Sequence, residues 1–250
     1  MRLPAIAALG VVAYGVFLVA TMPAAFVLAR AQDAQPGKFE VREAHGTAWR
    51  GNAKVTINTP GGAVPVERLE WRLLPARLAL GRIAFDIAAA APGIEARYEG
   101  ARSLTRWDVR NLDLRGNAAA MAIVLPWLAP LRPEGTVAIT SAHLISDGRE
   151  LRGDARVEWK GAAVGLSEVR PLGTYRADIR AEGHAGKVTV TTLEGRLRVA
   201  GQGTLMPPTR FAFTGEARAE AADAKALEPL LDLLGPARPD GARSLSWQAR

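Results

Sequence analysis

The chain has no cysteine, so neither a disulfide nor a thiolate metal site can hold it together. It is also poor in residues that do chemistry. Its three histidines, His45, His143 and His184, are far apart, each on an expected strand or turn. His45, beside Gly46-Thr47, reads as a turn residue rather than a ligand or base. No serine stands in a Gly-x-Ser-x-Gly elbow, and no glycine-rich phosphate loop follows a strand. The carboxylates Glu67, Glu70, Asp86, Glu95, Glu99, Asp108 and Asp113 mostly alternate with apolar positions, as they would on a wet sheet face paired with cross-strand arginines. No catalytic, cofactor-binding or metal-binding residue is expected, and the chain does not read as an enzyme. A basic block is missing too. The net charge is +7, yet the arginines stand singly, as in Arg176-x-Asp178-x-Arg180, without the aromatic cluster that stacks bases. Nucleic acid is therefore not an expected partner, while weak attraction to anionic lipid head groups is compatible with the pattern.

Charge itself is absent between Arg2 and Arg30. A helix from Leu3 to Ala29 would be about 40 Å long, enough to cross a hydrocarbon core of about 30 Å. Its apolar side chains favour insertion by very roughly 4–7 kcal/mol. Residues 1–31 are thus expected to be a single transmembrane anchor, with Leu9, Val12, Val16, Phe17 and Val19 in the bilayer. Only Met1 and Arg2 precede it, so the working domain is expected on one side of the membrane. Ala29-Arg30-Ala31 has the small-x-small form of a signal-peptidase site. The apolar stretch, however, exceeds the about 7–15 residues of a secretory core, so an uncleaved anchor is expected. Pro23 is expected to kink the helix near its outer end.

Beyond the anchor, about 220 residues make one large domain or two small ones. Period-two alternation dominates: Ala155 to Lys160, Tyr175 to Glu182, Lys187 to Val190, and Arg210 to Phe213. This is the pattern of half-buried antiparallel strands. Glycines such as Gly61, Gly93, Gly100, Gly116, Gly148 and Gly153 are read as turns between them. Two apolar stretches break the pattern, Met121 to Leu131 and Asp223 to Leu234; both read as short helices, the second with Asp223 at its N-cap. Trp49-Arg50-Gly51-Asn52-Ala53 recurs as Trp159-Lys160-Gly161-Ala162-Ala163. Arg132-Pro133-Glu134-Gly135 recurs at nearly the same spacing as Arg238-Pro239-Asp240-Gly241. The expected fold is therefore mostly β: a curved antiparallel sheet of two similar halves, 38–145 and 146–250, each with a short helix.

Several motifs carry a resemblance. Gly46-Thr47-Ala48-Trp49-Arg50-Gly51 is followed by Trp71-Arg72-Leu73-Leu74-Pro75, then Pro171-Leu172-Gly173-Thr174-Tyr175, then Leu193-Glu194-Gly195-Arg196-Leu197. In this order they resemble the type II secretion system protein N family. The signature positions are Gly46, Thr47, Trp49, Gly51, Trp71, Pro75, Pro171, Leu172, Gly173 and Tyr175. Ala48 departs from the β-branched residue that more often precedes the tryptophan. The resemblance implies an accessory, single-pass inner-membrane protein with a cytoplasmic N-terminus and a periplasmic domain. Its partners would be other type II secretion components and the inner-membrane bilayer, in the export of folded proteins across the outer membrane. More distantly, the chain resembles the AsmA-like β-groove proteins, which implies a lipid-binding or lipid-transfer alternative.

Two readings then compete. In an adaptor, exposed sheet edges recruit a partner strand. In a lipid-handling module, Val157, Ile179, Val188, Val190, Phe211 and Phe213 line an open apolar surface. Trp49, Trp71, Trp107, Trp159 and Trp247 could line such a groove or pack in the core. For Trp71 and Trp159, flanked by alternating charges, core is the better reading. Trp127 reads equally as packed or as anchored at a membrane surface.

Overall fold

A computed structural model describes residues 3–75, 81–124, 126–206 and 210–249, with side chains for all of these except 3–9, 11, 12, 124, 126, 127 and 249. Thirteen strands form one antiparallel sheet in strict sequence order. They are β1 Phe39–Gly46, β2 Arg50–Thr59, β3 Gly62–Leu74, β4 Ile83–Ala91, β5 Ile94–Arg102, β6 Trp107–Asn117 and β7 Glu134–Ser146. The second part continues with β8 Leu151–Ala163, β9 Gly173–Gly183, β10 Gly186–Gly195, β11 Leu197–Met206, β12 Arg210–Ala219 and β13 Arg243–Ala249. Hydrogen bonding is unbroken where the halves were expected to meet, with Ser146 opposite Leu151.

The alternation read from the sequence becomes two faces. Trp159 pairs with Tyr175, Val157 with Ala177 and Ala155 with Ile179 on the apolar face. Arg156 pairs with Asp178, Glu158 with Arg176 and Asp154 with Arg180 on the charged one. The same register carries apolar residues to both ends of the sheet, from Val41 opposite Val55 to Phe213 opposite Trp247. Not every glycine is a turn: Gly100, Gly116 and Gly153 lie inside β5, β6 and β8.

The uncharged segment is not the single helix expected from Leu3 to Ala29. It forms α1, Leu3–Ala20, and α2, Ala24–Ala34, separated at Thr21–Pro23. Pro23 sits in extended conformation just ahead of α2, where its missing N–H and fixed φ suit a helix start and cannot continue the previous helix. Among the described residues no helix is long and apolar enough to cross a membrane. Val16, Phe17 and Val19 are well exposed on α1, while Leu9 and Val12 fall on α1 with side chains outside the described set. α2 belongs to the body: Ala24 is buried, and Leu28 packs against a cluster of Ala53, Val55 and Val66.

One border of the sheet, here the foot, carries the helical connections. α3, Ala118–Val124, follows β6, and its start is capped by Asn117, whose Oδ1 accepts the Ala120 N–H at 2.6 Å. The expected helix from Met121 to Leu131 is thus α3 followed by a 3-10 stretch, Pro126–Leu131; the Trp127 side chain lies outside the described residues. α4, Ala224–Leu234, joins β12 to β13. Asp223 stands at its N-cap, but its side chain makes no capping bond and lies 3.7 Å from the Arg196 guanidinium. Leu227, Leu230 and Leu231 of α4 are buried with Val169, Leu172, Leu197 and Ala217, each large side chain contributing about 1.5–3 kcal/mol.

Candidate functional site

Signature residues near the front of the chain assemble where α1 meets the opposite border of the sheet, the rim. The β1–β2 turn closes through the Thr47 N–H donating to the Arg50 carbonyl at 2.9 Å. Gly46 enters it at φ +89°, and a Cβ there would lie 2.5 Å from the Arg50 oxygen, so only glycine fits. The Trp49 indole N–H donates to the Val19 carbonyl at 2.8 Å, fastening the turn to the last turn of α1. The Ala48 N–H donates to the Met22 carbonyl at 2.8 Å, and the Trp71 indole to the Ala48 carbonyl at 3.1 Å. Gly51 leaves room for the Trp71 ring, which a Cβ would approach to 2.5 Å. Pro75 follows the end of β3 on the same border. The result is a socket in which the Trp49 indole holds the end of α1 and the Trp71 indole braces the turn beside it.

The remaining signature residues lie at the foot. Leu172 is 4% exposed, and its carbonyl accepts both the Arg196 and Leu197 N–H groups. Pro171 precedes it and Gly173 starts β9, buried. The Tyr175 hydroxyl donates to the Leu197 carbonyl at 2.8 Å, and burial pushes its pKa up. Trp159 packs beside Tyr175 and donates to the Glu134 carbonyl at 2.9 Å. The two tryptophans expected in the core, Trp71 and Trp159, do pack against the two apolar clusters, whereas Trp107 and Trp247 are nearly half exposed. Trp49 and Trp159, matched by motif, occupy different places, one ahead of a strand at the rim and one near the end of β8 at the foot.

The charged face carries paired ions. Arg156 meets Asp178 at 2.8 Å, Arg176 meets Glu158 at 2.8 Å and Arg180 meets Asp154 at 3.2 Å. The first and third of these pairs line a depression of about 880 Å³ with Ser141 and Lys187, in which Arg156 and Arg180 are already engaged. Asp108 accepts from Arg110 and from His143 Nε2 at 2.8 Å. Burial there works against the carboxylate, but those two hydrogen bonds outweigh it and hold its pKa below the usual range. His45 lies on β1 and His184 lies 3.3 Å from Glu150, so the histidines do not converge. Among the described residues no group of three His, Asp or Glu is placed to hold a metal.

The two edges differ. Along β1 the outward Val41 N–H donates to Gln32 Oε1 at 3.0 Å, and α2 lies beside the strand. Along β13 the start is covered, with the Ser244 N–H donating to the Pro236 carbonyl at 3.1 Å. From Leu245 to Ala249 no further strand pairs with the outer side among the described residues.

A sequence profile for the type II secretion system (T2SS), protein N, matches residues 38–246. The chain belongs to that family. A curated relative, type II secretion system protein N of Pectobacterium carotovorum subsp. carotovorum, is 27% identical over 253 residues, covering 96% of this chain and 94% of that protein. No solved structure matches it. The family match starts one residue before β1 and ends within β13, so it spans the sheet and its foot helices, with α1 and α2 lying ahead of it.

Proposed function

We propose that this chain serves the type II secretion system as an accessory inner-membrane component that works by binding rather than catalysis. In this reading α1 is embedded in the bilayer with the N-terminus cytoplasmic. Residues Leu3 to Ala20 would span about 27 Å as a helix, and the described part from Ala13 to Ala20 presents only uncharged, exposed side chains. The sheet stands on the periplasmic side and binds another secretion component during export of folded proteins. α2 is retained, since cutting after Ala31 would separate most of it from the β1 edge that it shields. The family match and the contrast between the shielded β1 edge and the bare β13 edge support this reading; the β13 edge carries the binding part. An unpaired edge offers N–H and C=O groups that a partner strand can complete. Photocrosslinking from Ser246 and Gln248 in secreting cells is expected to capture one secretion component, and the same probe at Arg42 on β1 is not. Capture from Arg42 alone, or from neither edge, refutes it. The halves 38–145 and 146–250 remain a proposed duplication, motivated by the Arg-Pro-acidic-Gly motif that precedes or opens a strand after each foot helix. Failure of 146–250 to fold when expressed alone would count against it.

One observation favours the lipid-binding alternative. Of Val157, Ile179, Val188, Val190, Phe211 and Phe213, only Val188 is buried, and the others are half-buried rather than covered. The helices sit over the foot clusters and leave the middle of this face without a covering element among the described residues. Acyl chains could lie there, as the resemblance to AsmA-like β-groove proteins implies. Lipid extraction and mass spectrometry of the purified full chain test it; phospholipid well below one equivalent removes this reading.

A further inference from the structure

We propose that the rim of the sheet at the tip of the β5–β6 hairpin, with the adjoining end of β3 and start of β4, rests in the head-group region of the bilayer, giving the body a second membrane contact beside α1. This deepens the inner-membrane reading above and rests on it. The observation is Leu104, 99% exposed at the tip of the β5–β6 hairpin. The tip is tightly closed, the Ser103 N–H donating to the Arg106 carbonyl at 2.9 Å, so the leucine is held outward by a formed turn. Trp107 is 44% exposed, Ile83 46% and Leu74 38%. Strand register brings them together, because Leu74 pairs with Ala84, Ile83 with Arg102, and Arg102 with Trp107.

Charge on this stretch suits a lipid surface. The Arg102 guanidinium lies 4.5 Å from the Trp107 ring centroid, and Arg82 and Arg106 are exposed beside the apolar tips. The nearby carboxylates are engaged: Asp108 by Arg110 and His143, Glu99 by Asn111, and Asp147 of the next rim turn, which lies within electrostatic reach of Arg106, by the Arg149 and Glu150 N–H groups. Arginines around an exposed leucine and tryptophan match what anionic head groups and the membrane interface select, each basic residue near the surface favouring binding about fivefold. Position agrees as well. Trp49 fastens the β1–β2 turn of this same border to the last turn of α1. The β5–β6 tip is four strands further along, about 15–20 Å away at the usual interstrand spacing. Exposed apolar residues at the foot, Leu166, Leu193 and Leu233, are scattered instead over the β8–β9 connection, β10 and α4.

The lack of cysteine makes the test direct, since a single introduced thiol is unique. The full chain carrying Leu104→Cys, Phe17→Cys or Pro92→Cys would be labelled with bimane. Each would be reconstituted in vesicles of phosphatidylethanolamine and phosphatidylglycerol with brominated acyl chains. Expected is a blue shift and bromine quenching at 17 and at 104, with the foot position 92 quenched only by aqueous iodide. Quenching at 17 but not at 104 overturns the rim contact and leaves the α1 anchor standing. Loss of quenching at both positions overturns both. A label at 104 reached by neither bromine nor iodide means that protein covers this rim, which also overturns the proposal.

Discussion

Along β1 the Val41 N–H is taken up by the Gln32 side chain and α2 runs beside the strand. Along β13, once the Pro236–Ser244 contact is passed, no further strand among the described residues pairs with the outer side of Ser246 and Gln248. A sheet of this length must do something about both ends, because a bare edge invites pairing with another chain. Here one end is blunted by a helix from the segment that precedes the sheet, and at the other no described strand completes the outer side. The difference gives the sheet a direction, from an edge closed by a helix to an edge that, under the proposed function, takes up a partner strand.

The largest effect should come from removing what backs the open edge. Leu227 is fully buried under β12 and β13. Leu227→Ala is expected to cost about 2–5 kcal/mol in urea unfolding, and to abolish crosslinks from Ser246 and Gln248. A smaller change should open the closed side. Gln32→Ala removes the acceptor of the Val41 N–H and is expected to cost about 1 kcal/mol. Self-association by light scattering should rise with it; an unchanged monomer would mean that α2 alone shields β1.

A still smaller effect concerns acid. Asp240, in the turn before β13, accepts the Ala242 N–H at 3.2 Å and an Arg218 hydrogen bond at 2.9 Å. The Ala242 bond chiefly, with Arg238 and Arg218 adding, holds its carboxyl below the ordinary value against some desolvation. A carboxylate depressed in the folded state stabilises above its unfolded pKa, and that contribution is lost as pH falls through the folded one. The stability gap between wild type and Asp240→Asn should therefore shrink as pH drops from about 5 to about 3. A gap that persists at the lower pH would mean the turn does not depend on the charge. The smallest expected change in stability is Leu104→Ser, within about 0.5 kcal/mol because the side chain touches little. Vesicle association of the rim should nevertheless weaken.

Much of this fold was legible in advance. Strands such as Tyr175 to Glu182 alternate so regularly that both face and period follow from side-chain geometry alone. The helix at Asp223 to Leu234 was readable from its apolar spacing. What misled was local competition. Asp223 occupies the cap position, yet Arg196 lies close to its carboxylate, an ion pair that only tertiary folding creates. Gly100 and Gly153 looked like turns because glycine marks turns and close strand packing alike. The break at Pro23 was visible, but not that α2 would leave the apolar segment to pack on β1, since that needs the Val55–Val66 cluster in place. At the candidate site, Gly46, Thr47, Trp49, Gly51 and Trp71 were picked out together. That two of them grip helix and turn through indole N–H groups depends on carbonyls far away in sequence.

Since each described strand pairs in the sheet only with those just before and after it in the chain, no strand has to wait for a distant one to pair. A polypeptide emerging from its front end could set down one ribbon after another, with little loop-closure entropy to overcome at each step. By the same logic a pair of ribbons could be gained or lost without rewiring the rest, leaving the overall span free to change between relatives while the plan stays intact.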